Sequence, residues 1–169
     1  GVIVGGNIQP EGAAAVTVGG SATVDGDIQV KQGGGATVSR VRVNGNIQLE
    51  SNRSALSVTF SQVGGAVQVF QNRGGAAISD NRIDGNLQCK ENNPAPAGGR
   101  NQAASFEDQC AGFAGTPGTP GGTPAPTATP VPTATPAPGG GNGTCTGAIG
   151  GQRFENLEVP AGASCTLNG

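Results

Sequence analysis

The side chains able to do chemistry in this chain are few: four Cys, eleven Asp or Glu and nine Lys or Arg in 169 residues, with no His, Met, Trp or Tyr. Without imidazole there is no Ser-His-Asp or Cys-His nucleophile system and no His-ligated metal. The four cysteines stand as Cys89 and Cys110, then Cys145 and Cys165. Neither spacing is the CxxC of a zinc site, and both suit closure of a loop of about twenty residues. We expect disulfides Cys89–Cys110 and Cys145–Cys165, the alternative being unpaired thiols; each bond would contribute about 3 kcal/mol. Two carboxylate pairs lie close in sequence, Asp25 with Asp27 and Asp80 with Asp84. Calcium loops of repeat proteins need several acidic oxygens each, so these are expected to be solvated corner residues. Catalytic, cofactor-binding and metal sites are therefore all expected to be absent.

The remaining charges set further limits. A net charge of −2 with scattered basic residues gives no footprint for a phosphate backbone, so nucleic acid is not an expected partner. Arg53, Arg73 and Arg82 lie near turns, where they would keep a surface soluble and discourage sideways strand pairing. No apolar stretch approaches the ~20 residues of a membrane span, and no membrane insertion is expected. The missing initiator Met is expected to reflect a processing cut after a secretory signal, placing the protein outside the cell or on its surface.

What must position these residues is a repeat. Gly6-Asn7-Ile8-Gln9 recurs as Gly26-Asp27-Ile28-Gln29, Gly45-Asn46-Ile47-Gln48, Gly65-Ala66-Val67-Gln68 and Gly85-Asn86-Leu87-Gln88, at steps of 20, 19, 20 and 20 residues. A β-branched residue precedes each Gly by two positions (Val4, Val24, Val43, Val63, Ile83), which is strand alternation. A second apolar patch in each period ends at Val18, Val38, Val58 or Ile78. Strand, turn, strand, turn in ~20 residues leaves no room for a helix. The expected fold is all-β: a short parallel β-solenoid of about five coils over residues 1–88, right-handed, with small aliphatics inside and Gly at corners where φ > 0 or close backbone approach requires it. The 32 Gly and the mere five aromatics, all Phe, suit such a narrow rod. Outward columns of Asn7, Asp27, Asn46, Ala66 and Asn86, beside Gln9, Gln29, Gln48, Gln68 and Gln88, are expected to form hydrogen-bonded ladders. Thr17, Thr23, Thr37 and Thr59 do not fall in one column, which argues against an ice-binding array.

After Gln88 the period breaks, and residues 89–113 are expected to be an irregular loop closed over the last coil by Cys89–Cys110. Residues 114–144 are Pro, Thr and Gly-rich, a polyproline-like tether whose Thr127, Thr129, Thr133 and Thr135 are candidates for O-linked sugar. Asn52-Arg53-Ser54 and Asn142-Gly143-Thr144 match the N-glycosylation pattern, a short match that is more often incidental. Residues 145–169 return to the repeat, since Asn156–Leu167 aligns without gaps on Asn7–Val18. That is the register of the coil that should precede the first. Leu157, Val159, Cys165 and Leu167 would dock against Val4, Ile8, Val16 and Val18.

Asn81–Pro96, closed by Asp108-Gln109-Cys110, resembles uncharacterised secreted bacterial β-solenoid proteins, and PTATPVPTATP is similar to tethers in exported proteins of the Chloroflexota. The architecture also has a looser likeness to the bactofilins, which polymerise. The resemblance implies a secreted solenoid and carries no activity.

Two arrangements satisfy the tail's register. It can cross to a neighbouring copy of this chain, which propagates head to tail into an extracellular filament, or fold back on its own first coil. The filament is the leading expectation, because the other end of the rod would still need a neighbour. The alternative is a self-capped surface or adhesin module with a surface glycan as partner. An enzyme is not expected, for want of a carboxylate cleft.

Overall fold

A computed structural model describes residues 1–118 and 141–168. The described residues contain no helix, and every strand pairing among them is parallel. The fold is a parallel β-solenoid with three sheet faces, the second split into a five-stranded part and a two-stranded part of Gly143–Thr144 with Leu157–Glu158. Sheet A stacks Arg153–Phe154, Ile3–Val4, Thr23–Val24, Arg42–Val43, Gln62–Val63 and Arg82–Ile83. Sheet B stacks Ile28–Lys31, Ile47–Glu50, Val67–Phe70, Asn86–Lys90 and Ser105–Asp108. Sheet C is the tallest, with Ala148–Gly150, Ser164–Asn168, Ala15–Val18, Gly35–Ser39, Leu56–Thr59, Ala76–Ser79 and Ala97–Gly99.

Alternation places one residue in two inside. Val4, Val24, Val43, Val63 and Ile83 form one buried column and Ile8, Ile28, Ile47, Val67 and Leu87 another. Val18, Val38, Val58 and Ile78 line the third wall. These are β-branched or aliphatic side chains of similar volume, so equivalent layers stack directly on one another.

The rod exceeds five coils, reaching about seven turns. The stretch after Cys89 is a further coil: Ala97 pairs with Ala77 and Gly99 with Ser79, while Ser105 pairs with Asn86 and Asp108 with Cys89. The expectation of an irregular loop over 89–113 is corrected accordingly. The Gly-aliphatic-Gln phrase is lost here, but outward strand positions tolerate Ser, Glu and Asp, and the backbone ladder needs no particular side chain. The tail adds the remaining turns at the opposite end.

The corners also differ from expectation. Ten described non-glycine residues have positive φ, among them Arg40 (57°), Phe60 (51°) and Asp80 (61°) after sheet C, and Ser51 (56°), Gln71 (55°) and Glu91 (56°) after sheet B. One left-handed residue reverses the side-chain alternation, so the next side chain turns inward. Val41, Ser61, Asn81, Asn52, Asn72 and Asn92 are buried for that reason. The repeat's own glycines serve close approach: a Cβ on Gly45 would lie 2.7 Å from the Gly26 carbonyl oxygen.

Candidate functional site

The tail and the first coil, more than 140 residues apart in the chain, meet side by side. Ser164–Asn168 pairs with Ala15–Val18, matching Cys165 to Val16, Thr166 to Thr17 and Leu167 to Val18. Arg153–Phe154 pairs with Ile3–Val4, and Leu157 bridges to Ile8. Leu157, Val159, Cys165 and Leu167 are buried with Val4, Ile8, Val16 and Val18 in one core. The partner coil is the chain's own. Gly143–Thr144 and Ala148–Gly150 then begin a further turn beyond it, pairing with Leu157–Glu158 and with Thr166–Asn168.

Both disulfides form, Cys89–Cys110 and Cys145–Cys165, with Cα atoms 5.3 and 5.5 Å apart, and all four sulfur residues are buried. They sit at opposite ends of the rod. The candidate glycan-bearing Thr127, Thr129, Thr133 and Thr135 lie outside the described residues, as does most of the tether.

The outward columns carry hydrogen bonds from coil to coil. The Asn156 Oδ1 accepts the Asn7 N–H (3.0 Å), Asn7 Oδ1 the Asp27 N–H (2.8 Å), Asp27 Oδ1 the Asn46 N–H (2.7 Å) and Asn46 Oδ1 the Ala66 N–H (2.8 Å). The Gln column is joined in pairs: Gln9 donates to Gln29 (3.3 Å), Gln48 to Gln68 (3.1 Å), and Gln88 donates to Asp108 (3.4 Å). Asp25 accepts from the Asn44 amide at 3.0 Å, so neither it nor Asp27 is merely solvated.

Two buried columns were missed in the sequence. Asn52 N–H donates to Asn72 Oδ1, Asn72 N–H to Asn92 Oδ1 and Asn92 N–H to Gln109 Oε1, all within 2.9 to 3.0 Å. The same amides donate through Nδ2 to the carbonyls of Val30, Leu49 and Val69. On the other inner corner Ser61 N–H donates to Asn81 and Asn81 N–H to Asn101. No buried side-chain polar atom among the described residues lacks a partner. The signal was present as Asn at 52, 72 and 92, spaced by the coil length. Asn52 is 0% exposed, so the Asn52-Arg53-Ser54 match is not available to sugar.

Asp80 is not a solvated corner residue either. Its carboxylate accepts from Arg100 Nε (2.7 Å) and Nη2 (2.6 Å) and from the Gly118 N–H (2.9 Å). The Arg100 fork, then the Gly118 amide, hold that carboxyl below the usual carboxylate range, and the guanidinium is raised in turn. Arg53 and Arg73 are exposed at equivalent turn positions of successive coils, and Arg82 is exposed on sheet A. The four Thr do not fall in one column: Thr17 and Thr37 stack with Thr166 and pass to Ser57 and Ala77, Thr23 lies in sheet A, and Thr59 stacks between Ser39 and Ser79. No group of three His, Cys, Asp or Glu stands together among the described residues.

The tail junction also makes a groove that sequence reading did not foresee. Between Gln9–Gly12 and Leu157–Ala161 the strands part, leaving an open cleft of about 1050 Å³ lined by both segments. It exists only when the tail is docked, so no single stretch of sequence contains it.

The fold and its two closed ends define a disulfide-bonded parallel β-solenoid with a donated terminal coil. Compared with protein-family models, curated proteins and solved structures, the chain matches none.

Proposed function

We propose that this chain is a non-catalytic, extracellular structural module: a short rod that completes its own N-terminal end with residues 145–169. The observation that carries this is the in-register pairing of Ser164–Asn168 on Ala15–Val18 within one chain. Chain length supports it. Residues 119–140 must lead from Gly118, beside Asp80, to Gly141, about six coils or ~29 Å away. A flexible segment of that length has an end-to-end distance of about 26 Å, and a Pro-rich one reaches about 70 Å, so both limits permit closure. A tether of this kind sets an effective concentration in the millimolar range. Intramolecular docking therefore outcompetes a neighbour's tail at ordinary concentrations. A head-to-tail filament uses the same contacts between chains and becomes favoured only above that range.

Two buried disulfides suit an oxidising compartment, and the resemblance of Asn81–Cys110 to secreted bacterial solenoids supports export. The absence of His from the whole chain supports a non-catalytic role. Light scattering with electron microscopy of the intact protein at micromolar concentration is the test. A monodisperse 16.4 kDa particle is expected. Fibres that vanish on deletion of 145–169 would replace this reading with the filament.

A further inference from the structure

We propose that the groove at the tail junction binds an oligosaccharide bearing free amino groups. This deepens the module reading, and it needs the docked tail whichever chain supplies it.

The groove has an identifiable origin. Along sheet B the last rung before it is the Gln9 N–H to the Leu157 carbonyl (3.3 Å), and the next is the Gly162 N–H to the Gly12 carbonyl (2.8 Å). Between these rungs each strand carries a proline, Pro10 on one side and Pro160 on the other, and neither has an N–H to donate. Sheet B consequently opens here, whereas equivalent strands in later coils stay paired from Ile28–Ile47 through Phe70–Lys90.

The lining fixes the chemistry. Gln9, Gln29, Gln32 and Thr144 contribute amides and a hydroxyl, and Glu11 and Glu158 bring one carboxylate from each side. Gln9 and Gln29 already share one hydrogen bond, which orients both amides and leaves the Gln9 oxygen and a Gln29 N–H for a ligand. Lys31 is the one basic residue on the lining, and its ammonium is engaged 3.5 Å from Glu50. The groove is thus acidic, rich in acceptors and open along its length. No aromatic lines it, so sugar faces cannot stack and recognition must come from hydrogen bonds to hydroxyls and ammonium groups. Two carboxylates attract amino sugars and repel uronates. With about 1050 Å³ the cleft exceeds a monosaccharide's needs and takes a short chain.

The test is an amide NMR titration of the intact, oxidised chain with four probes: glucosamine hexamer, N-acetylglucosamine hexamer, galacturonate hexamer and hexalysine. The glucosamine hexamer is expected to give saturable shifts at Gln9, Gln29 and Gln32, with an affinity of about 0.1 to 1 mM. The acetylated hexamer should bind more weakly and the galacturonate hexamer not at all. Glu11→Gln and, separately, Gln29→Ala should each weaken binding about tenfold, the loss expected for one charge-assisted or oriented hydrogen bond. Both positions are exposed or half-exposed, so folding is not at stake. No saturable shift with the glucosamine hexamer, shifts elsewhere on the rod, equal binding of hexalysine, or indifference to Gln29→Ala would each overturn the proposal. Scattering on the same sample separates the two ideas: a monomer that binds nothing refutes the groove alone, and a polymer refutes self-capping alone.

Discussion

At its C-terminal end the rod closes because the chain continues for one more coil, and polar side chains run straight into that coil. The Asn52–Asn72–Asn92 column ends on Gln109, the Ser61–Asn81 column ends on Asn101, and Asp80 clamps both Arg100 and Gly118. At the N-terminal end the same interior positions hold Ala13 and Gly33 in one column and Val2, Ala22 and Val41 in the other. The closing coil there arrives from across residues 119–140. A contiguous cap can be fixed by directional bonds formed as the chain winds. A cap that docks from elsewhere would have to strip water from each amide it covered, which costs free energy, whereas covering Val, Ile and Ala releases it. The buried amide columns stop two or more coils short of the docked lid, and of the Asn columns only the outward one reaches it, through Asn7 and Asn156.

That contrast can be broken in four ways. Deleting residues 145–169 should have the largest effect, opening Val4, Ile8, Val16 and Val18 to water at a cost of about 5 kcal/mol or more. Hydrogen exchange should show protection lost over residues 2–31 and retained over 62–108. Asn72→Ala comes next, because it leaves the Asn52 backbone N–H without its acceptor and the Leu49 carbonyl without its Asn72 donor inside the rod, while the Asn52 Nδ2 keeps the Val30 carbonyl. One buried orphan donor and one orphan acceptor amount to about 4 kcal/mol, read from denaturant unfolding, and the tail junction should stay protected.

Replacing a disulfide should cost about 3 kcal/mol at either end. The ends should differ in reach: Cys145→Ser with Cys165→Ser should loosen the tail and the first coil together, while Cys89→Ser with Cys110→Ser should affect only 97–118. The smallest effect is one of pH. Asp80 is held below its ordinary value by Arg100, so its ion pair stabilises the fold above the usual carboxylate range and is lost as pH falls through the lowered value. Protection over 97–118 should decline below about pH 4, and Asp80→Asn should abolish that decline.

Much of this was legible in the residues because a stacked fold repeats its instructions. The Gly-aliphatic-Gln phrase located sheet B and its neighbours, and the gapless alignment of Asn156–Leu167 on Asn7–Val18 is the register seen in the pairing of Cys165 with Val16. The sixth coil escaped because Ala97–Gly99 and Ser105–Asp108 keep the backbone spacing without the phrase. The buried amides escaped because Asn next to a turn reads as surface; only the left-handed residue before each one, such as Ser51 or Gln71, sends it inward. The groove is a relation between Pro10 and Pro160, which lie far apart in the chain, and no local pattern announces it.

The donated lid also imposes an order in time. The first coil is synthesised well before the strand that covers it, Ser164–Asn168. Until that strand is made, the first coil stays uncovered while the middle coils can already wind. A chain that stops short, or is clipped within 119–140, ends with an open apolar face and is recognisable as incomplete. The lid therefore seals the first coil only once synthesis has passed Ser164–Asn168.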